Sequence, residues 1–447
     1  MLTQEEKDLT LECLQMALDA GAQKARASLS KSNMNIVATL NGEVDRISSC
    51  LDRSISLNLF VDGRYGSFST NKLERGSLKA FIAKAAETVR MLAEDIYRDL
   101  PAPERTAQDA VDGRELGIFD DAWAGISPAQ RMAAALGSGV KTKSGDGWKL
   151  VSEEGEYSDS EYYNFIADTN GLRALHCETS FEFFTELTIE DSKGDKFTGG
   201  WWEAAPLLRD FHPEKVAPAA LEEAVMQIGP RPCPGGKYTA VIDGEVSSKV
   251  LSPVLNALNA FSIQQKNSFM VDSLGKRLFP AGLDITDIPR TPGEPCGKMF
   301  DSEGVATSNH YIVKDGVVQE YFVNTYMAGK LGIAPTIEDA TRPLVQPYGA
   351  KAGSPFGRKA IMEAVGDGIL ITDFCGGNCN TATGDFSYAI QGYRFKDGRI
   401  VHPVREMLIT GNLLTLWKNL LAAGDDARRC RAKLTPTMAF GEVDFSG

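Results

Sequence analysis

Residues 235–280 read GGKYTAVIDGEVSSKVLSPVLNALNAFSIQQKNSFMVDSLGKRLFP, and the fold class turns on how this stretch is read. It predicts a helix over 245–261 with Pro253 inside it, where proline removes a backbone hydrogen bond unless it stands in the first turn. Just upstream, GPRPCPGG at 229–236 concentrates glycine and proline and marks the clearest domain boundary in the chain. Downstream, strand-like runs joined by turns dominate. Lys314-Asp315-Gly316 stands between HYIV and VVQEYFV, Lys396-Asp397-Gly398 stands between YRF and RIVHPV, and each predicts a hairpin. Further helices are expected from Ala360 to Val365 and over 412–423. These patterns give an α+β fold class: N-terminal α/β segments, then a large antiparallel sheet or barrel-like C-terminal domain.

Toward the N-terminus, Thr3 and Glu6 form a capping-box pattern, followed by Leu9, Cys13, Met16 and Ala17 at helical spacing. Residues 34–41 and 54–60 alternate like strands, and VDGRYG at 61–66 supplies an Asp-Gly turn. Asn71 is the expected cap of a helix running to about residue 95. DLPAPERTAQ at 99–108 has linker composition. Ser127-Pro128 opens another helix, strands run from Trp148 through about Thr198 with a turn at Asp168–Gly171, and a helix spans Pro218–Met226. The domain division is therefore 1–102, 103–230 and 231–447. In SEEGEYSDSE, Glu154 and Glu156 would share one face of a strand while Glu153, Asp159 and Glu161 share the other, so the five carboxylates do not converge. The reading for them is a solvated acidic surface.

Composition narrows the function. With 447 residues and 43% hydrophobic content, the chain can bury a large core. The start MLTQEEKDLT is polar and acidic rather than a secretory signal, and no apolar run is long enough to cross a bilayer. Eight cysteines without a disulfide-like framework point to a reducing compartment, the cytoplasm. A net charge of −13 without a basic stripe argues against nucleic acid as a partner.

Four blocks carry a resemblance: residues 235–280, FDSEGVATSNHYIVKDGVVQEYFVNTYMAGKLG at 300–332, TATGDFSYAIQGYRFKDGRIVHPV at 381–404, and ITGNLLTLWKNLLAAGDD at 409–426. They resemble the TldD/PmbA family, the modulators of DNA gyrase. That family pairs a zinc peptidase subunit, TldD, with a sister subunit, PmbA or TldE, that has no metal site. In the peptidase subunit a helix in this region carries His-Glu-x-x-x-His, and alignment sets Leu251, Ser252 and Asn256 against the first His, the Glu and the second His. A catalytic zinc takes about three protein ligands plus an open water position, and its hydroxide needs a general base. Leucine cannot coordinate, serine is no base at neutral pH, and asparagine is a poor zinc ligand. The resemblance thus implies a PmbA-type subunit with no cofactor of its own, and zinc in a TldD-type partner.

Candidate metal ligands elsewhere are sparse. The histidines His176, His212, His310 and His402 are scattered, none with a second histidine at ligand spacing. In an extended strand His176 and Glu178 would face away from Cys177. Cys375 and Cys379 in DFCGGNCNTATGDFS are the sharpest alternative, with His310 or Cys296 completing a set, against the plainer reading of a tight turn with buried thiols. Cys430 lies near the point where peptidase relatives take a third ligand, but stands in RRCRAK, and reads as a free thiol. Asp301, Glu303, Asp385 and Ser387 belong to turn-forming blocks, where structural roles compete with substrate contact.

The expectation from these readings is a non-catalytic subunit of a cytoplasmic metallopeptidase complex acting on unfolded peptides or peptide precursors. Its partner is a TldD-type subunit or a second copy of itself, with no nucleic acid and no membrane. Two alternatives stand beside it: a self-sufficient metallopeptidase using Cys375, Cys379 and His310, and a homodimeric peptide-binding or scaffold protein.

Overall fold

The computed structural model describes residues 2–349 and 356–447. The chain divides into two compact units, 1–226 with 290–307 and 328–333, and 227–289 with 308–327 and 334–447.

In the first unit, α1 (Gln4–Asp19) opens with the expected capping box: Thr3 Oγ1 accepts the Glu6 amide at 3.1 Å and Glu6 Oε2 accepts the Thr3 amide at 2.8 Å. Strands β1 (Lys24–Leu40), β2 (Glu43–Val61) and β3 (Arg64–Thr70) follow, then helix α2 (Arg75–Arg90). The β2–β3 turn places Asp62 and Gly63 at φ 50° and 72°, the left-handed pair that a two-residue hairpin needs. Asn71 does not cap α2. The helix begins four residues later, behind Glu74, after the chain has turned out of β3. Helix α3 (Pro128–Ser138) has its own capping box from Ser127 and Gln130. Strands β4 (Ser144–Gly145), β5 (Trp148–Asp168), β6 (Arg173–Asp191) and β7 (Lys196–Ala205) precede helix α4 (Val216–Met226).

These strands make one antiparallel sheet in the order β3-β2-β1-β5-β6-β7, with β4 on β5. Its long members exceed the short strands expected, because β1 pairs continuously with β5 from Arg26↔Asp168 to Leu40↔Glu154. One face holds Leu29, Ile55, Leu57, Leu59 and Tyr163 against Leu9, Cys13, Leu78 and Ile82 of the two helices. The acidic run on β5 departs from the solvated-surface reading. Glu153, Asp159 and Glu161 are buried, while Glu156 is half-buried and Glu154 exposed. Each buried carboxylate has a donor: Arg131 for Asp159, the Val140 amide for Glu153, and the Tyr163 hydroxyl for Glu161. A buried carboxylate survives only with such partners.

The second unit begins with β8 (Gly236–Ile242), α5 (Ser248–Ala257) and α6 (Ala260–Gln264). The single helix expected over 245–261 is therefore two. Asn259 breaks it, its side-chain oxygen accepting the Phe261 amide at 3.0 Å to cap α6. Strands β9 (Ile285–Asp287), β10 (His310–Lys314) and β11 (Val317–Val318), helix α7 (Thr325–Leu331) and strand β12 (Pro343–Val345) come next. The strands form a small antiparallel sheet, β11-β10-β9-β12.

Helix α8 (Arg358–Val365) leads to β13 (Asp367–Cys379), β14 (Asp385–Lys396) and β15 (Arg399–Asn412). Helix α9 (Leu413–Lys418), β16 (Leu420–Ala423) and β17 (Met438–Ser446) complete the chain. The helix expected over 412–423 thus ends at Lys418, because Leu420–Ala423 pairs with β17 instead. Pairings β8–β13–β14–β15–β17–β8 return to their start, a closed five-stranded barrel with β16 added to β17. The α+β, barrel-containing architecture is as expected, with one parallel pairing, β8 to β13. Both Lys-Asp-Gly turns join hairpins, with Asp315 and Asp397 at φ 49° and 50°. Fully buried Trp417 packs on Phe279 and Phe440 and donates its indole N–H to the Val250 carbonyl at 3.1 Å, tying α9 to α5. Among the described residues no helix is long and apolar enough to cross a membrane.

Candidate functional site

Helix α5 has two unlike faces. Val250, Leu251, Val254, Leu255 and Ala257 are buried, whereas Ser248, Ser252 and Asn256, at fourfold spacing, point the other way. That polar side lines a cavity of about 530 Å³ whose opposite wall comes from β13, the loop after it and β14. Lys249, Asp373, Phe374, Asn378, Cys379 and Tyr388 supply most of its chemistry.

Two irregularities in β13 shape this wall. Its register against β14 shifts between Ile371 and Asp373 and again between Phe374 and Gly376, and bulges of this kind re-aim side chains. Gly377 has φ +92°, and a β-carbon there would come within 2.0 Å of the Ser387 carbonyl oxygen, so only glycine fits. The parallel ladder with β8 stops at Ile371, so among the described residues 373–379 have a strand partner on the β14 side alone. Tyr388 stacks on Phe386 and meets Phe374 edge-on, and the Lys249 ammonium lies 5.1 Å from its ring centre. Burial, aided by Cys379, pushes the Tyr388 hydroxyl up to about 12, so it is a neutral donor. The loop after β13 is held by Asp385, whose oxygens accept from Asn412 at 2.9 Å and Thr383 at 2.7 Å. Asp385 is thereby a loop-building residue, and so is Asp301, which accepts the Glu303 and Val305 amides at 2.9 Å each.

The positions matched to the peptidase helix separate. Ser252 and Asn256 border the cavity, while Leu251 is 0% exposed and belongs to the core. An i, i+5 pair lies about 140° apart around an ideal helix, which is why both ends cannot face one point without distortion. A hydroxyl, an amide and a buried isobutyl group do not fit zinc, and no zinc chemistry is derived for them.

Cys375 and Cys379 sit on the extended end of β13, not in a tight turn; the turn follows at 381–383. Cys375 is exposed with Sγ 3.6 Å from Asp373 Oδ2, and Cys379 Sγ lies 3.7 Å from the Asn380 carbonyl. Burial first, then Asp373 beside one and Asp385 beside the other, raise both thiols above their ordinary range, which disfavours the thiolate a metal would take. His310 is on β10, bound to the Ser308 carbonyl at 2.7 Å and to Glu320 at 2.5 Å. Cys296 belongs to the first unit. Among the described residues no three His, Cys, Asp or Glu side chains gather as a metal site. Near Cys430, Arg428 binds Glu245 at 2.9 Å and Arg431 binds the same carboxylate, so the basic run braces the approach to α5. Sequence reading missed Lys249, Asp373, Asn378 and Tyr388. Their only signal was proximity to the quoted blocks, since a cavity wall built by two bulges has no periodicity to read.

Three stretches that make up most of the chain match the domains of one family. Residues 25–89 match the PmbA/TldA metallopeptidase domain 1, 120–228 its central domain, and 235–447 its C-terminal domain. The chain belongs to the PmbA/TldD family. A PmbA/TldD relative named Metalloprotease PmbA from Escherichia coli O157:H7 is 24% identical over 97% of this chain and 96% of its own. A crystal structure from Bacteroides thetaiotaomicron, described as a candidate modulator of DNA gyrase, is 33% identical with a TM-score of 0.93, covering 100% of both chains. TldE from Thermococcus kodakarensis is 14% identical and covers 98% of this chain and 100% of its own; its TM-score of 0.81 shows the shared fold.

Proposed function

We propose that this PmbA/TldD-family chain is a non-catalytic, peptide-binding subunit of a cytoplasmic metallopeptidase complex, with zinc supplied by a TldD-type partner. One observation carries the reading: the α5 face toward the cavity presents Ser252 and Asn256, neutral hydrogen-bonding groups, where hydrolysis would need ligands and a base. The cavity suits an extended peptide. Residues 373–379 of β13 offer backbone groups on the side without a described strand partner, so a peptide can add as a short strand. Phe374 and Tyr388 give apolar contact, and Lys249 with Asp373 meets either charge. The name of the E. coli relative, Metalloprotease PmbA, is compatible with membership of a proteolytic assembly.

The test pairs binding with cleavage. A fluorescein-labelled unstructured peptide should bind the isolated chain by anisotropy, and Ser252→Trp, which fills the cavity, should weaken that binding at least tenfold. The chain alone should leave the peptide intact, while its mixture with a family subunit carrying His-Glu-x-x-x-His should cut it. Chelator-sensitive cleavage by the chain alone, surviving further purification, overturns the reading.

A further inference from the structure

The two charged side chains in the cavity wall, Lys249 and Asp373, are not equivalent. Asp373 is exposed and engaged by its own strand: Oδ1 accepts the Phe374 amide at 2.8 Å, and Oδ2 lies 3.6 Å from the Cys375 thiol. Lys249 is half-buried, and its ammonium lies 5.1 Å from the Tyr388 ring centre. Among the described residues no carboxylate comes within ion-pairing reach of it. A cation drawn partly out of water without a counter-ion is costly, and one ring face offsets only a fraction of that cost.

Nothing in the local fold asks for lysine at this position. It stands in the first turn of α5, where the positive end of the helix dipole disfavours a cation, and that turn has no acidic residue. Helix α1, by contrast, places Glu5 and Glu6 in its first turn. Basic side chains nearby are paired, Arg358 with Asp243 at 2.9 Å and Arg428 with Glu245 at 2.9 Å. Lys249, Ser252 and Asn256 stand at i, i+3 and i+7, so an ammonium, a hydroxyl and a carboxamide run along the cavity side of α5. The Ser252 and Asn256 side chains make no hydrogen bond to another described residue. A row of donors headed by a cation suits an anionic group that only accepts, which is what a carboxylate is. The rings of Phe374 and Tyr388 beside it suit a carboxylate borne on a peptide rather than a small free anion.

We infer that Lys249 makes this cavity selective for peptides that present a carboxylate, with Ser252 and Asn256 donating beside it. A C-terminal carboxylate and an aspartate or glutamate side chain share this chemistry. The selectivity rests on peptide binding in the cavity as proposed above, and adds to it a preferred class of peptide.

Three N-terminally fluorescein-labelled peptides of one neutral, unstructured sequence test it: a C-terminal amide, the free acid, and the amide with one central glutamate. Anisotropy titrations of the intact chain at low salt should give about fivefold or more tighter binding for at least one acid than for the neutral amide. The peptide that gains identifies the source of the carboxylate, and added salt should shrink the gap. Lys249→Met, which keeps the stem and removes the charge, should bind all three alike, and Lys249→Arg should keep the preference. Lys249→Glu should turn it against the acids. Equal affinity of the unaltered chain for the three peptides overturns the selectivity and leaves peptide binding standing. So does a preference that survives in Lys249→Met with unchanged circular dichroism. Failure to bind any of the three overturns the peptide-binding reading itself, and the selectivity with it.

Discussion

Arg131 holds Asp159 by two prongs, Nε to Oδ2 at 2.6 Å and Nη2 to Oδ1 at 3.0 Å, with the carboxylate side chain wholly removed from solvent. Tyr157 and Asn35 donate to the same carboxylate at 3.0 and 3.1 Å, and Arg131 also donates to the Ile126 carbonyl. The pair fastens α3 to the middle of β5. Removing one partner strands the other's charge, so Asp159→Ala should cost about 3–5 kcal/mol. Replacing both residues with apolar ones of similar volume should cost far less. Urea denaturation of the three variants decides this; an Asp159→Ala loss below about 1 kcal/mol would show that the pair is solvated in solution.

Zinc content follows from the α5 face. The purified chain should contain far less than one zinc per molecule by elemental analysis, since Ser252 and Asn256 are poor donors and the Cys375 and Cys379 thiols are raised. Near-stoichiometric zinc that disappears in Cys375→Ser or Cys379→Ser would establish a metal site of another kind.

Rebuilding the peptidase helix should fail for a structural reason. Leu251→His puts an imidazole into the core rather than the cavity, since Leu251 is fully buried with Val250, Val254 and Leu255. The variant should lose about 2–5 kcal/mol of stability from the lost packing and the buried polar ring. The triple change Leu251→His, Ser252→Glu, Asn256→His should be less stable still and inactive toward peptides. Zinc-dependent cleavage by that variant would refute this placement of Leu251.

His310 makes the second unit pH-sensitive. Burial, the largest single effect, opposes its protonation, but Glu320 at 2.5 Å, the Ser308 carbonyl and Asp287 together outweigh it, and the pKa is raised. Its folded state therefore holds a proton more tightly than the unfolded chain, whose histidine titrates near about 6.5. The contribution is complete below that pH and is lost as pH rises through the higher folded value. Thermal melts taken upward from about pH 6 should show this decline, and Glu320→Gln should flatten it. An unchanged slope in Glu320→Gln would assign the decline to other groups.

Local sequence determined the local geometry wherever one or two residues suffice. The Thr3–Glu6 and Ser127–Gln130 boxes form, the Asp-Gly turns adopt left-handed backbone, and the α+β order of elements holds. The family likeness was legible too, because it lies in contiguous blocks. What sequence could not supply was decided by partners far along the chain. Glu153, Asp159 and Glu161 read as solvated acids until Arg131, the Val140 amide and Tyr163 are brought to them. Leu420–Ala423 continued a helical pattern until β17 offered a ladder. The cavity exists because a short helix with one polar face stands beside a doubly bulged strand of the barrel. Burial and pairing are properties of surfaces meeting, and a chain read in one dimension states only which side chains could meet, not which do.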